Sequence, residues 1–266
     1  MPEFRDRYGP WALVAGGSVG LGGEFAAQLA ARGINLVLVA RRPEPLEECA
    51  APLRAAHGVE IRTVSADLGR PDLLDALRPS LAGLEIGLLV YNAAISPVGR
   101  FLEQELSEKL HALDVNCRAP LMLAHELGRQ MAARRRGGIL LVSSLSALQG
   151  SALIATYAAT KAYGYILGEG LWDELRDNGV DVLSFLAGAT RTPNYEQSNP
   201  KPASRFAPPV MEPAAVVAEA LATLGRRPSG IAGRANRIAS FVMTRLMPRR
   251  LAVETMGRTT RAMYER

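Results

Sequence analysis

The feature that most constrains this chain is a repeated alternation. Short runs that are apolar at nearly every position are separated by longer amphipathic stretches. The first run, Trp11-Ala-Leu-Val-Ala15, turns through Gly16 to Gly22 into a segment of helical periodicity, Glu24 to Arg32, stopped by Gly33. Ile34 to Ala40, Val59 to Val64, Ile86 to Tyr91, Gly138 to Ser143 and Val180 to Leu186 repeat the strand pattern. Between them, Pro45 to His57, Pro71 to Leu81, Ser107 to Arg135 (with a kink expected at Pro120) and Tyr157 to Asn178 read as helices. A strand without a polar face must be covered on both sides. Strands alternating with helices of this length imply right-handed crossovers and a parallel sheet between two helical layers. The expected fold is therefore a single α/β domain, a doubly wound parallel sheet of Rossmann-like type, with a C-terminal helical extension.

Composition narrows the function. The chain has 266 residues, 48% hydrophobic and 21% charged, enough for one large core. No unbroken apolar run is long enough to cross a bilayer, and the start lacks the apolar stretch of a secretory signal. Cys49 and Cys117 read as free thiols of a reducing compartment, so a cytoplasmic location is expected. His57, His111 and His125 share no ligand spacing, so no metal site is expected and a histidine-based triad loses weight. The net charge of +5 is uneven: residues 226–266 hold ten arginines against Glu254 and Glu265, while the rest is slightly acidic. Basicity is a property of the tail alone.

Gly16, Gly20 and Gly22 stand in a Gly-x-x-x-Gly-x-Gly turn between the first strand and the first helix. Small residues there let the backbone approach a pyrophosphate, and the helix N-terminus supplies N–H donors. The expected cradle is Gly16, Ser18, Gly20, Leu21 and Gly22. At this point the sequence resembles the short-chain dehydrogenase/reductase family, whose turn reads Thr-Gly-x-x-x-Gly-x-Gly; Ala15 replaces its threonine.

The second strand ends Val39-Ala40-Arg41-Arg42. A carboxylate there would bond a ribose 2′-hydroxyl and repel a 2′-phosphate. Two guanidiniums instead suit the phosphate, so NADP(H) is expected over NAD(H), with Arg41 the main contact and Arg42 beside it. Arginines after a strand can also be merely solvated. Asp67-Leu68 follows the third strand, where the resemblance implies a bond to adenine; Asp67 could equally cap the helix at Pro71. Asn92-Ala93-Ala94 matches the family's Asn-Asn-Ala-Gly element, and Asn92 is expected to tie strands together beside the cofactor.

Tyr157-Ala-Ala-Thr-Lys161 puts a phenol and an ammonium on one helix face. Alone the pair could be an ordinary exposed one. A nearby ammonium favours phenolate and brings a group of pKa ~10 toward the working range. Ser144 ends the fifth strand 13 residues before Tyr157, the family's spacing. Asn116 matches its fourth catalytic position. Gly188, Thr190 and Thr192 follow the sixth strand where the family carries Pro-Gly-x-x-x-Thr, and Thr192 stands where a hydroxyl bonds the nicotinamide carboxamide. The resemblance spans roughly residues 10–195. It implies catalysis by Ser144, Tyr157, Lys161 and Asn116: Tyr157 gives a proton to the developing alkoxide, Ser144 bonds the same oxygen, Lys161 tunes Tyr157 and holds the nicotinamide ribose, and Asn116 fixes a relay water.

The expected organisation is a catalytic region over 1–192, a loop or lid with one helix over 193–230, and a basic helical extension over 231–266. The implied protein is an NADP-dependent carbonyl reductase or alcohol dehydrogenase acting on an apolar ketone, steroid-like or ketoacyl substrate, and a homodimer. The alternatives are a catalytically silent NADP(H)-binding regulator, or a protein whose tail lies on an anionic membrane surface. Nucleic acid is not expected as a partner, for no aromatic interleaving accompanies the arginines.

Overall fold

The computed structural model describes residues 4–197 and 209–265. After a short helix, α1 (Phe4–Tyr8), the chain runs β1 (Trp11–Ala15), α2 (Gly20–Ala30), β2 (Asn35–Ala40), α3 (Pro43–His57), β3 (Ile61–Ser65), α4 (Leu73–Leu81) and β4 (Ile86–Tyr91). It continues through α5 (Leu106–Leu113), α6 (Ala119–Arg134), β5 (Gly137–Ser144), α7 (Ala155–Leu175) and β6 (Val180–Ala187). All pairings are parallel, and the strand order is β3-β2-β1-β4-β5-β6-β7, with β7 spanning Ser229–Ile231.

Both sheet faces are covered, as the continuous apolar runs require. Side chains alternate across each strand. Ala12 and Val14 of β1 therefore pack with Phe25 and Leu29 of α2, while Leu13 and Ala15 pack with Leu123 and Leu127 of α6. Leu167, Leu171 and Trp172 of α7 join the second layer. α7 is moored to β6 by the Ser184 hydroxyl, which donates to the carbonyls of Gly164 at 3.1 Å and Tyr165 at 3.0 Å.

Three elements depart from expectation. The helix expected from Ser107 to Arg135 is interrupted at Asp114–Arg118 by a π-helical turn rather than kinked at Pro120. The proline is still the cause: it has no N–H to give the Asn116 carbonyl, so the ladder slips and Ala119 N bonds Asp114 O instead. Second, Ser229–Ile231 forms a seventh strand on β6, so the extension expected from residue 231 begins inside the sheet. Three residues with a central glycine carry no strand periodicity.

The tail departs most. After α8 (Pro193–Gln197) and α9 (Pro213–Thr223) come α10 (Arg234–Phe241), a π turn (Val242–Leu246) and α11 (Arg249–Tyr264). Within that basic extension, the apolar residues Ile238, Phe241, Val242 and Leu246 face solvent, with Phe241 58% and Leu246 67% exposed. α10 instead buries Asn236 and Ser240, and α11 buries Ala252, Gly257 and Thr260. Most of the expected lid, residues 198–208, lies outside the described residues.

Candidate active site

The strand order reverses at β1, whose neighbours β2 and β4 lead to opposite halves of the sheet. Carboxyl ends of strands diverge at such a point and leave a crevice. Here it measures about 340 Å³ and is lined along one wall by Gly16, Ser18, Gly20 and Leu21, and along the other by Asn92, Ala93 and Val115. Gly16, at φ +79°, sits so close to Ala93 that a Cβ would come within 2.8 Å of its backbone. Gly22 does not line the crevice; it closes the turn. A Cβ there would lie 1.8 Å from the Gly16 carbonyl oxygen, so only glycine fits. The Asn92 amide donates to that same oxygen at 3.1 Å, and Asn92 N and Ala93 N both bond Ala15 O. The turn is thus pinned to β4 with its small residues facing the crevice.

Arg41, Arg42, Asp67 and Leu68 line the far end of the crevice. Both arginines are exposed, and neither has a carboxylate partner among the described residues. Ser65 Oγ donates to Arg41 O at 2.8 Å and holds the backbone after β2. Asp67 does not cap a helix: α4 begins at Leu73 with Asp72 at its N-cap, and Asp67 Oδ1 accepts from Gly69 N at 2.9 Å within its own turn.

β5 delivers Ser144 and the first turns of α7 deliver Tyr157 and Lys161, and α7 is joined to the crevice through Asn116, which bonds both the crevice residue Ile95 and Thr160. The Ser144 hydroxyl accepts from Ser146 N at 3.2 Å and stands near enough to the Tyr157 phenol to lower its pKa. Burial pushes Tyr157 above the usual phenol range, Ser144 pulls it down, and Tyr264 pushes it up. The Lys161 ammonium stands 5.7 Å from the centre of the Tyr157 ring and donates to Val142 O at 2.9 Å. Its own pKa is brought down to about 8, chiefly by burial. In this arrangement the expected pull on the phenol comes from Ser144 rather than from Lys161.

Asn116 is 6% exposed and its amide is fully engaged. Oδ1 accepts from Ile95 N at 2.8 Å, and Nδ2 donates to Ile95 O at 2.8 Å and to Thr160 Oγ1 at 2.9 Å. It clamps the segment after β4 to α7, and Pro120 has no N–H to offer its backbone carbonyl. Thr192 lines the crevice; its methyl end faces Gly20 and its hydroxyl accepts from Tyr195 N at 3.2 Å. Gly188 and Thr190 stand off the crevice wall, Gly188 against the Asn236 amide and Thr190 donating to Gly188 O at 3.0 Å.

Residues to which the sequence assigns no catalytic role stand nearby. Thr160 is 1% exposed and bridges Asn116 to the Tyr157 carbonyl, which it reaches at 2.8 Å. The Ser146 hydroxyl is buried without a partner among the described residues. Tyr264, 107 positions beyond Tyr157, has no spacing signal that would pair them. No cluster of three or more metal-ligating side chains occurs among the described residues.

Known proteins match this arrangement. The short chain dehydrogenase family model matches residues 10–203. A 7β-hydroxysteroid dehydrogenase of Clostridium sardiniense is 32% identical over 235 residues, covering 88% of this chain and 90% of that protein. A 7β-hydroxysteroid dehydrogenase solved for its stereoselectivity superposes with a TM-score of 0.89 at 29% identity, covering 96% of this chain and 99% of that one. A short-chain dehydrogenase from Sphingobium yanoikuyae in complex with NADPH superposes with a TM-score of 0.76 at 30% identity, covering 89% and 94%. The chain therefore belongs to the short-chain dehydrogenase/reductase family, oxidoreductases that move a hydride between a nicotinamide cofactor and a carbonyl or alcohol.

Proposed function

We propose that this protein is an NADP(H)-dependent reductase or dehydrogenase of an apolar, steroid-sized carbonyl compound. The reading rests on one observation: the Ser144 hydroxyl, the Tyr157 phenol and the Lys161 ammonium gather at the C-terminal edge of β5, beside a crevice shaped for a dinucleotide. The cradle suits the cofactor, because Gly16 and Gly20 present no side chain to it and Arg41 and Arg42 have charge to spare for a 2′-phosphate. When bound, NADP(H) supplies or accepts the hydride. Tyr157 Oη gives its proton to the developing alkoxide, and Ser144 Oγ donates a hydrogen bond to the same oxygen. Lys161 holds positive charge beside the phenol and refills its proton. The Asn116 clamp keeps the segment after β4 and the catalytic helix in register. The relatives' names support a steroid-like substrate.

Residues Leu106, Leu110 and Leu113 of α5, Leu121 of α6 and Ile166 of α7 are each more than 40% exposed. Large apolar patches of this kind mark interfaces, and they support a homodimer formed by these helices. A cytoplasmic setting fits the free thiols of Cys49 and Cys117. A second reading draws on the exposed Ile238, Phe241 and Leu246 among tail arginines: this face lies on an anionic lipid surface. Co-sedimentation with phosphatidylserine vesicles tests it, and equal recovery of Phe241→Ser/Leu246→Ser and wild type would count against it.

The test of the main reading is Tyr157→Phe. NADPH consumption with a ketone should fall by about 10² or more, while NADPH affinity stays within about twofold. Undiminished turnover would overturn the role given to the phenol, and NADPH binding with no turnover of any ketone by wild type would favour a silent binding protein.

A further inference from the structure

We propose that Arg118 is a positioning residue that joins the adenosine end of the crevice to α7, so that an adenosine phosphate seated at Asp67 and Leu68 orders the helix turn carrying Tyr157 and Lys161; this rests on the reading of Asp67 and Leu68 as the adenine end. The joint is the π turn Asp114–Arg118. Two of its side chains reach opposite parts of the site. Arg118 Nη2 donates to Gly69 O at 2.7 Å, and Asp114 Oδ1 lies 3.2 Å from the same nitrogen. Asn116 Nδ2 donates to Thr160 Oγ1 at 2.9 Å, in the turn of α7 between Tyr157 and Lys161. Gly69 in turn closes the loop that carries Asp67 and Leu68, for Gly69 N donates to Asp67 Oδ1 at 2.9 Å and Arg70 N to Asp67 O at 3.2 Å.

Packing reinforces the hydrogen bonds. A Cβ on Gly69 would fall 2.5 Å from His111 Cε1 and 3.2 Å from Val115 Cγ2, so α5 and the π turn rest directly on the backbone of the 67–69 loop. Val115 lines the crevice and shares a buried cluster with Leu68. The Asp114 carboxylate fixes the Arg118 guanidinium, and the bond to Gly69 O is charge-assisted. The Arg118 side chain is 39% exposed, so its ion pair adds little to global stability. What the bond sets is the place of one loop against another.

The consequence is entropic. A ligand that orders one end of a linked unit lowers the cost of ordering the other, without any change of mean structure. Holding the 67–69 loop restrains Gly69 O, then Arg118 and the π turn, and the Asn116–Thr160 bond passes the restraint to α7. A second connection runs from the glycine turn through Asn92 to β4 and does not pass through Arg118. Removing Arg118 therefore separates the two routes.

The test uses the full chain and 2′,5′-ADP, which carries the adenosine half of NADP and no nicotinamide. At saturation it should slow amide hydrogen exchange of residues 158–162 by about threefold or more in wild type. Arg118→Met keeps much of the stem and removes the donor. It should bind 2′,5′-ADP within about threefold of wild type by calorimetry, exchange as wild type does over residues 180–187, and lose the slowing at 158–162. Arg118→Lys, which retains a donor, should recover at least about half of it. In turnover, Arg118→Met and Thr160→Val break one link, so the double variant should lose no more kcat than the worse single variant. Equal slowing in wild type and Arg118→Met overturns the proposal, as does bound 2′,5′-ADP that slows nothing in wild type, or kcat losses that multiply. Wild type that binds no 2′,5′-ADP overturns the adenosine reading and this proposal with it. The exchange result needs no turnover, so a protein that shows it and reduces no ketone loses the hydride-transfer reading and keeps the link through Arg118.

Discussion

The side-chain amide of Asn116 donates to the Thr160 hydroxyl at 2.9 Å, one residue before Lys161. Both groups are buried, and Thr160 passes the bond on to the Tyr157 carbonyl. The π turn around Asn116 and α7 are thereby one rigid unit.

Thr160→Val removes the hydroxyl but keeps the shape. It leaves the Asn116 amide short of one partner, which costs about 1–3 kcal/mol. Urea unfolding should show that loss, and kcat should fall while KM for NADPH changes little, because the crevice wall formed by Gly16 to Leu21 is untouched. A stability equal to wild type would show that the bond contributes nothing.

Burial brings Lys161 from 10.5 down to about 8, so folding is linked to pH. Between those values the unfolded chain binds more protons than the folded one, and the unliganded protein gains stability as pH rises. Below about 8 both states are protonated and the penalty for the buried ammonium is present in full. Lys161→Met has no such group. Its unfolding free energy minus that of wild type should shrink across this window, by at most about 1.4 kcal/mol per pH unit. Parallel curves for the two proteins would contradict the burial of a charged lysine.

Arg41→Ala should weaken NADPH by about tenfold or more and leave NADH within about twofold, read by fluorescence titration at fixed ionic strength. The larger loss should vanish in high salt, because both guanidiniums are exposed. Equal weakening of the two cofactors would remove the 2′-phosphate contact from the account.

Gly22→Ala and Gly23→Ala form a matched pair. At Gly22 the new methyl falls 1.8 Å from Gly16 O and 2.8 Å from Asn92 Nδ2, so the phosphate turn must move. At Gly23 the nearest group is 3.6 Å away, an ordinary contact. The first substitution should cost about 1–3 kcal/mol or more and abolish dinucleotide binding. The second should stabilise α2 by a fraction of about 1 kcal/mol. Thermal unfolding with and without NADPH separates them.

Much of the molecule is legible in short stretches of chain. Six of the strands, the helices between them and the glycine turn were readable because each is written within about ten residues: an apolar run, a helical period, a turn needing φ above zero. The pairing of Tyr157 with Lys161 is equally local, one helical turn on one face. The π turn was not readable, although Pro120 drives it, because a missing N–H can be answered by a kink or by a slipped ladder, and the Asn116 bonds to Ile95 and Thr160 go with the slip. Asp67 illustrates the same limit at a smaller scale, since its carboxylate had two turns within reach and bonds Gly69 N rather than a helix end.

Local chemistry thus decided the parallel α/β sheet, the place of the glycine turn and the pairing of Tyr157 with Lys161 on one helix face, for backbone and side-chain preferences over a few residues settle such things. Tertiary packing alone decided where β7 pairs, that the apolar residues of α10 face outward, that the Lys161 ammonium donates one hydrogen bond to Val142 O, and that α11 rests on residues 148–153. Those outcomes join positions 19 residues apart, for Lys161 and Val142, to 109 apart, for Ser151 and Thr260. They depend on which buried polar groups find partners and which small residues permit contact, and no periodicity along the chain encodes either.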